Sequence, residues 1–405
     1  PGVARQPFQR QLLDGWSPII FAENMMYVPA YVIHGGQDME IPPKQSRQMR
    51  DRLSQLGYTC VLDEYPNRKH WWWGPRSKAY YAECVDKPAI YEFLQRHSPR
   101  VQNPARVVYE TDSLHYNKAY WLTIDEMDDV NSRARIEANI SERHNIELKL
   151  TNIAAITLDL TPALIDGDKP LTVVINGAVA YAGAVILPGP LSVARGSDGT
   201  YRVTPKGGGG SASLPGGVLK KTHDLCGPIP DAFTTPFLFV RGTQGQGRWG
   251  TALNSASNEA ARVLARDWML RANGTVAIKD DIDVSDADIA RYNLILFGNA
   301  ETNSVIAKIN SDLPIRFSGS GIALGEREFA DGEIGMVESL PNPLNHARYV
   351  VVVGSSSPRA FQIASRLRFA DLPDYVLFDR DTLRGKKTVY VAGGFFDKYW
   401  QLDHE

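Results

Sequence analysis

The chain has 405 residues, 43% hydrophobic and 22% charged, with 34 glycines, 25 prolines and 3 cysteines, a globular profile. At roughly 150 residues per domain this length predicts two or three domains. Lys plus Arg total 44 against 46 Asp plus Glu, a net charge of −2, so no overall positive field draws the chain to nucleic acid or anionic lipid.

Pro1 to Gln9 holds no basic segment followed by an apolar core of signal-peptide length, so the start reads as a processing point, a cut or an artificial boundary. Tyr31-Val32-Ile33 predicts a short buried strand, and Pro43 to Leu56 places Met49, Leu53 and Leu56 at helical spacing. Tyr58 to Tyr65 predicts a second strand and Ser77 to Leu94 a second helix. That β-α-β-α order belongs to a parallel sheet. Two parallel strands with their helices cannot bury both sheet faces, so residues 1 to 97 are expected to pack against another polypeptide segment.

From Arg106 to Val203 the pattern changes to short apolar runs separated by Asn, Asp, Gly and Pro: Arg106 to Tyr109, Ala119 to Ile124, Ile146 to Leu150 and Leu171 to Ile175. Many alternate apolar with polar, as half-buried strands do, and together they predict a β-sandwich. The most apolar stretch, Leu171 to Leu191, is broken by Asn176, Gly177, Gly183, Pro188 and Gly189; no uninterrupted piece reaches across roughly 30 Å of hydrocarbon, so no transmembrane helix is expected. Lys206 to Gly217, with glycines at 207 to 210, reads as a linker or mobile loop.

The strand-then-helix rhythm returns with strand Phe237 to Val240 before helix Asn254 to Arg271. Leu294 to Phe297 then precedes Ser304 to Ile309, and Tyr349 to Val353 precedes Arg359 to Phe369. Strands are also expected at Tyr375 to Phe378 and Thr388 to Val391. The fold class is therefore α/β and β. Residues 1–100 are expected to form part of an α/β domain, 105–205 a β-sandwich accessory domain, 206–217 the Gly-rich linker, and 218–405 a second α/β domain, doubly wound-like.

The chemistry concentrates near the start. Asp38 stands just past the first strand, in His34-Gly35-Gly36-Gln37-Asp38, and His70 just past the second, in a loop after Pro66-Asn67-Arg68-Lys69. Both fall at the carboxyl edge of a parallel sheet, where α/β sites form. A carboxylate that accepts the proton of one imidazole nitrogen leaves the other nitrogen free to act as general base on a hydroxyl. The bland alternatives are a helix N-cap for Asp38 and aromatic packing of His70 beside three tryptophans, Trp71, Trp72 and Trp73. His34 reads as strand-end packing. No serine in the chain sits in G-x-S-x-G; the near misses are Ser211, Ser320 and Ser356.

Ser17-Pro18, the run from Tyr31 through Asp38-Met39-Glu40-Ile41-Pro42, Gln45-Ser46, Leu53, Gly57 and His70-Trp71-Trp72 resemble the last part of the catalytic domain of the prolyl oligopeptidase family of serine hydrolases. The resemblance covers residues 15 to 97 and implies that residues 1–100 are the carboxyl-terminal part of an α/β-hydrolase catalytic domain. It implies a Ser-His-Asp triad with Asp38 as acid and His70 as base, a peptide or ester substrate, and a secreted or periplasmic location. Trp71 and Trp72 are expected to line the substrate cleft. The nucleophile and oxyanion-hole segment would precede Pro1, on an upstream segment or separate chain, so the 405 residues are expected to be inactive alone. Val108 to Ser113, Tyr116 to Trp121 and Pro341-Asn342-Pro343-Leu344-Asn345 resemble the long carboxyl extension of some large bacterial members, which carries no known chemistry. The competing expectation is an interaction or scaffold protein that binds a partner or polysaccharide through its accessory domains.

No cofactor or metal site is expected. Gly245-Gln246-Gly247-Arg248-Trp249-Gly250 matches G-x-G-x-x-G but stands four residues beyond the strand end, where a dinucleotide fingerprint needs a tight turn directly off the strand. The acidic run Asp280 to Asp288 fails the calcium-loop pattern, which would need Gly and Glu where Asp286 and Tyr292 stand, and Ser285 followed by Asp288 reads instead as a helix cap. His223, Asp224 and Cys226 lack a second ligand pair. Cys60, Cys84 and Cys226 have no C-x-x-C spacing, against both a disulfide scaffold and a zinc site.

Overall fold

The structure, a computed structural model, describes residues 6–71, 86–205, 218–319, 321–330, 332–385 and 388–402. It is a mixed α/β fold with several sheets, some parallel and some antiparallel. It divides into two compact units, one of residues 14–128 and 132–209, the other of residues 1–13, 129–131 and 210–405. The 206–217 stretch, Cys84 and the first part of the helix expected from Ser77 lie outside the described residues.

The first helix, α1 (Pro7–Gly15), buries Phe8. β1 (Ala30–Gly35) and β2 (Cys60–Tyr65) then form a two-stranded parallel sheet in which Ala30 faces Cys60 and Gly35 faces Tyr65. Helix α2 (Lys44–Gln55) connects them and buries Leu53; α3 (Pro88–Arg96), with Pro at its start, follows and buries Phe93. Apart from Gly35, no residue of either strand is buried.

Ten strands follow in the same unit: β3 (Arg106–Thr111), β4 (Lys118–Ala119), β5 (Leu122–Met127), β6 (Ala134–Ser141), β7 (Asn145–Thr151), β8 (Ile153–Leu160), β9 (Leu171–Ile175), β10 (Ala178–Gly183), β11 (Gly189–Arg195) and β12 (Tyr201–Pro205). They form two five-stranded sheets, β10-β9-β7-β6-β3 and β12-β11-β8-β5-β4. Along β6 and β7 buried positions alternate with more exposed ones, the signature of a sheet with one covered face. Asn176 and Gly177, both at positive φ, close the two-residue β9–β10 hairpin, the turn that suits the twist of antiparallel strands. The pairing is antiparallel except between β7 and β9, which run parallel. The strand pair and these sheets are tied together: Asn24 exchanges two hydrogen bonds with the Glu110 backbone, at 2.8 and 2.7 Å, and Glu23 accepts from Arg135 at 2.9 Å.

The second unit is organised on a seven-stranded sheet. Its elements are β13 (Phe237–Arg241), α4 (Gly247–Ala272), β14 (Ile278–Asp280), α5 (Asp286–Arg291), β15 (Asn293–Gly298), α6 (Ser304–Ile309), β16 (Ile315–Ser318), β17 (Gly321–Leu324), β18 (Arg327–Phe329), β19 (Gly335–Asn342), β20 (Asn345–Ser355), α7 (Pro358–Ala364), β21 (Tyr375–Phe378) and β22 (Ala392–Gly394). The sheet order is β14-β13-β15-β20-β19-β21-β22, and β16, β17 and β18 form a separate three-stranded sheet. Its first four strands are parallel, as the strand-helix rhythm predicts; β19, β21 and β22 are added antiparallel. The run Val350 to Val353 is wholly buried, as a central strand covered on both faces requires.

Boundaries moved where local signals were weak. Helix α4 begins at Gly247 rather than Asn254, because the glycines of its first turn hide it from any propensity argument. Its buried face, Leu253, Ser257, Ala260 and Ala261, keeps helical spacing, and Asn273 ends it in the left-handed conformation. The strand expected at Thr388 to Val391 lies a few residues later, at Ala392–Gly394, where it pairs with β21.

Candidate active site

The site is assembled by the loops that leave the carboxyl ends of β1 and β2. A Cβ on Gly35 would lie 2.5 Å from the Lys69 carbonyl oxygen and 2.6 Å from that of Arg68, and a Cβ on Gly36 would lie 2.8 Å from Pro66 Cα. Only glycine lets the two loops approach so closely. Across this contact the Gly36 amide donates to the Tyr65 carbonyl at 2.7 Å and the Gln37 amide to the Arg68 carbonyl at 2.8 Å. These bonds fix the Asp38 loop against the His70 loop.

Asp38 divides its carboxylate between two tasks. Oδ1 accepts from the amides of Glu40 at 2.9 Å and Ile41 at 2.8 Å, and Oδ2 meets His70 Nδ1 at 2.9 Å. The capping expected of Asp38 is thus a local turn rather than a helix cap, since α2 starts only at Lys44. The carboxylate is buried, with 5% side-chain exposure against 31% for His70. Burial alone would raise the Asp38 pKa, but the Ile41 amide, His70 and the Glu40 amide outweigh it and hold the carboxyl below its ordinary value. The hydrogen bond that His70 donates to Asp38 raises the His70 pKa above its ordinary value against an opposing desolvation, with the charges of Asp38 and Glu40 adding to the rise. With Nδ1 fixed on the carboxylate, Nε2 faces away, and no described residue hydrogen-bonds to it. That arrangement can accept a proton from a hydroxyl and return it.

Two neighbours complete the surroundings. Trp71 packs edge-on against the His70 ring, centroids 4.7 Å apart, and its indole N–H donates to Glu40 Oε1 at 2.8 Å; the indole is 46% exposed. Trp72 lies outside the described residues. His34, read from the sequence as packing, is held by Ser46 Oγ at 2.7 Å and the Ile41 carbonyl at 2.8 Å, with Nε2 3.4 Å from Asp38 Oδ2. Sequence reasoning missed its place beside the carboxylate and the role of the glycine pair. The signal available was the His-Gly-Gly step directly off a strand.

The weaker sequence features resolve into local structure. The amides of Gly242 and Gln244, in the loop before Gly245 to Gly250, donate to the Phe297 and Thr302 carbonyls at 3.1 and 3.0 Å, tying that loop to the neighbouring one. Ser285 and Asp288 form the expected reciprocal cap, with Asp288 also accepting from Lys279 at 2.7 Å. Lys279 first, then Ser285, holds the Asp288 carboxyl at about 2. Asp281 accepts from Thr243 Oγ1 at 2.6 Å and from the Ser304 amide at 2.6 Å. Cys60 is partly exposed and Cys226 buried, and neither is joined in a disulfide.

An acid and an imidazole presented from the carboxyl ends of adjacent parallel strands are the arrangement of an α/β-hydrolase edge. Residues 3–98 match the family model of the prolyl oligopeptidase family, and the residues beyond belong to further domains of unknown family. Over 415 aligned positions the chain is 21% identical to an uncharacterized secreted protein of Arthroderma benhamiae; the alignment takes in 98% of this chain and 40% of that protein. The chain thus spans about two fifths of the relative's length. Among the described residues no helix is long and apolar enough to cross a membrane.

Proposed function

We propose that Asp38 and His70 are the acid and base of a Ser-His-Asp triad in a secreted or periplasmic serine hydrolase acting on a peptide or ester, with the nucleophilic serine on polypeptide outside these 405 residues. The observation that carries this is the Asp38 carboxylate, braced by two amides and bonded to His70 Nδ1, which leaves Nε2 directed away from its support. In the proposed reaction Nε2 takes the serine hydroxyl proton as the oxygen attacks the acyl carbon, then delivers it to the leaving amine or alcohol. Water repeats the sequence to release the acid. Trp71 forms one wall of the cleft. The absence of G-x-S-x-G from the chain and the incomplete burial of β1 and β2 both support a completing segment.

In this reading residues 1–100 are the carboxyl-terminal part of the catalytic domain. The two five-stranded sheets make a β-sandwich accessory domain over 105–205, and 218–405 form a second accessory domain, doubly wound in its parallel half. The test joins the chain to its serine-bearing segment and follows hydrolysis of an activated ester. His70→Ala should lower turnover by about 10⁴ or more. Unchanged turnover overturns the proposal.

A further inference from the structure

In the unit that holds the seven-stranded sheet, the C-terminal half of α4, the turn Ile229–Phe233 and the segment 365–370 enclose a cavity of about 550 Å3. That lies within the range of small-molecule sites. Phe239 and Ile295 from β13 and β15 line it below, and Leu264, Trp268, Leu367 and Phe369 line its walls. The aromatic wall is held by its own contacts: Trp268 meets Phe237 edge-on with centroids 4.9 Å apart, and Phe233 meets Phe369 edge-on at 6.0 Å.

The charged residues that line the cavity are unequal in number: three arginines, Arg271, Arg366 and Arg368, against the single acid Asp267. Arg271 is held by Asp267 at 2.8 Å and Arg368 by Asp371 at 3.1 Å. Arg366 is exposed and makes no ion pair among the described residues. An apolar interior with an uncompensated planar cation fits a ligand with one apolar tail and one anionic head, because guanidinium matches the flat carboxylate fork.

We propose that this cavity binds a small amphipathic carboxylate, its alkyl or aryl tail against Trp268 and Phe369 and its head at Arg366. The site shares no residue with the Asp38–His70 pair and is independent of the hydrolase reading.

Titration calorimetry of the full chain with decanoate, decanol and decylamine tests it. Saturable binding is expected for decanoate, weaker binding for decanol and none for decylamine. Arg366→Gln should weaken decanoate by roughly fivefold and leave decanol unchanged, the effect of one exposed charge contact. Val263→Trp, at a 37% exposed position on the cavity lining, should abolish binding of both while leaving the thermal melt unaltered. Equal affinity for decanoate and decylamine, or decanoate binding indifferent to both substitutions, overturns the proposal. A Val263→Trp chain that melts early is replaced by Ala370→Trp, on the lining from the opposite segment, with the same expectation.

Discussion

Strands β1 and β2 and strands β13, β15 and β20 are both parallel sets built from short apolar runs, yet their surroundings differ. Only Gly35 is buried in the first pair, whereas all six residues of β15 and the last seven of β20 are buried. The second set is packed by helices α4, α6 and α7 of its own chain. Parallel sheets survive in water by covering both faces. The seven-stranded sheet meets that condition with its own helices, and the strand pair that carries Asp38 and His70 does not. The same stretch of chain exposes apolar side chains, among them Trp16, Met39 at 90% exposure, Ile41, Trp71 and Leu94. The lesson is that the element richest in chemistry is the least finished structurally, and among the described residues the most finished sheet shows no comparable carboxylate–imidazole pair off its strand ends.

The comparison can be broken first by stability. Leu296→Ala, within β15 at 0% exposure, should cost about 2–5 kcal/mol. Ile33→Ala in β1 should cost under about 1 kcal/mol, because the side chain keeps contact with water. Chemical denaturation measures both, and equal losses would show that β1 is covered after all.

Next in size is Gly35→Ala. The added methyl meets two backbone carbonyls that cannot rotate away, so the loops must part at about 1–3 kcal/mol and draw His70 off Asp38. Proton NMR should then show the His70 titration falling back toward that of an ordinary histidine. An unmoved His70 midpoint would show that the glycine contact does not set the pair.

Ser285→Ala removes the cap of α5 and should cost about 1 kcal/mol in the finished unit, with the β1–β2 region unaffected in hydrogen exchange.

The gentlest probe is pH. His70 is raised in the folded chain, so its contribution is full below the unfolded histidine pKa and is lost as pH climbs through the raised folded value. Asp38 is lowered, so its contribution is full above the unfolded carboxyl pKa and is lost as pH falls through the lowered folded value. The pair therefore stabilises its region between those limits, and Asp38→Asn should bring the His70 midpoint down. A general base must be neutral, so activity of the completed hydrolase should rise with pH across the raised His70 value. A rate that falls across that value would sink the base assignment.

Much of this was legible from residues alone. Strand-Asp and strand-His spacing located the pair, because side chains just past parallel strands gather at one edge whatever the rest of the fold does. The period-two alternation of β7 and the valine run of β20 report burial directly. The Ser285–Asp288 cap was equally readable, being chemistry between near neighbours.

What lay beyond the sequence was contact between distant segments. Propensity could not see that α4 begins among glycines or that β7 and β9 run parallel. It could not divide the Asp38 carboxylate between a local turn and His70, or bring His34 within 3.4 Å of that carboxylate. Nor could it gather Phe233, Trp268, Arg366 and Phe369 around one cavity. Local backbone preference and hydrophobic period are written in each short stretch of chain. Which side chains meet depends on how the sheets and helices close over one another, a choice made by the burial of the whole chain.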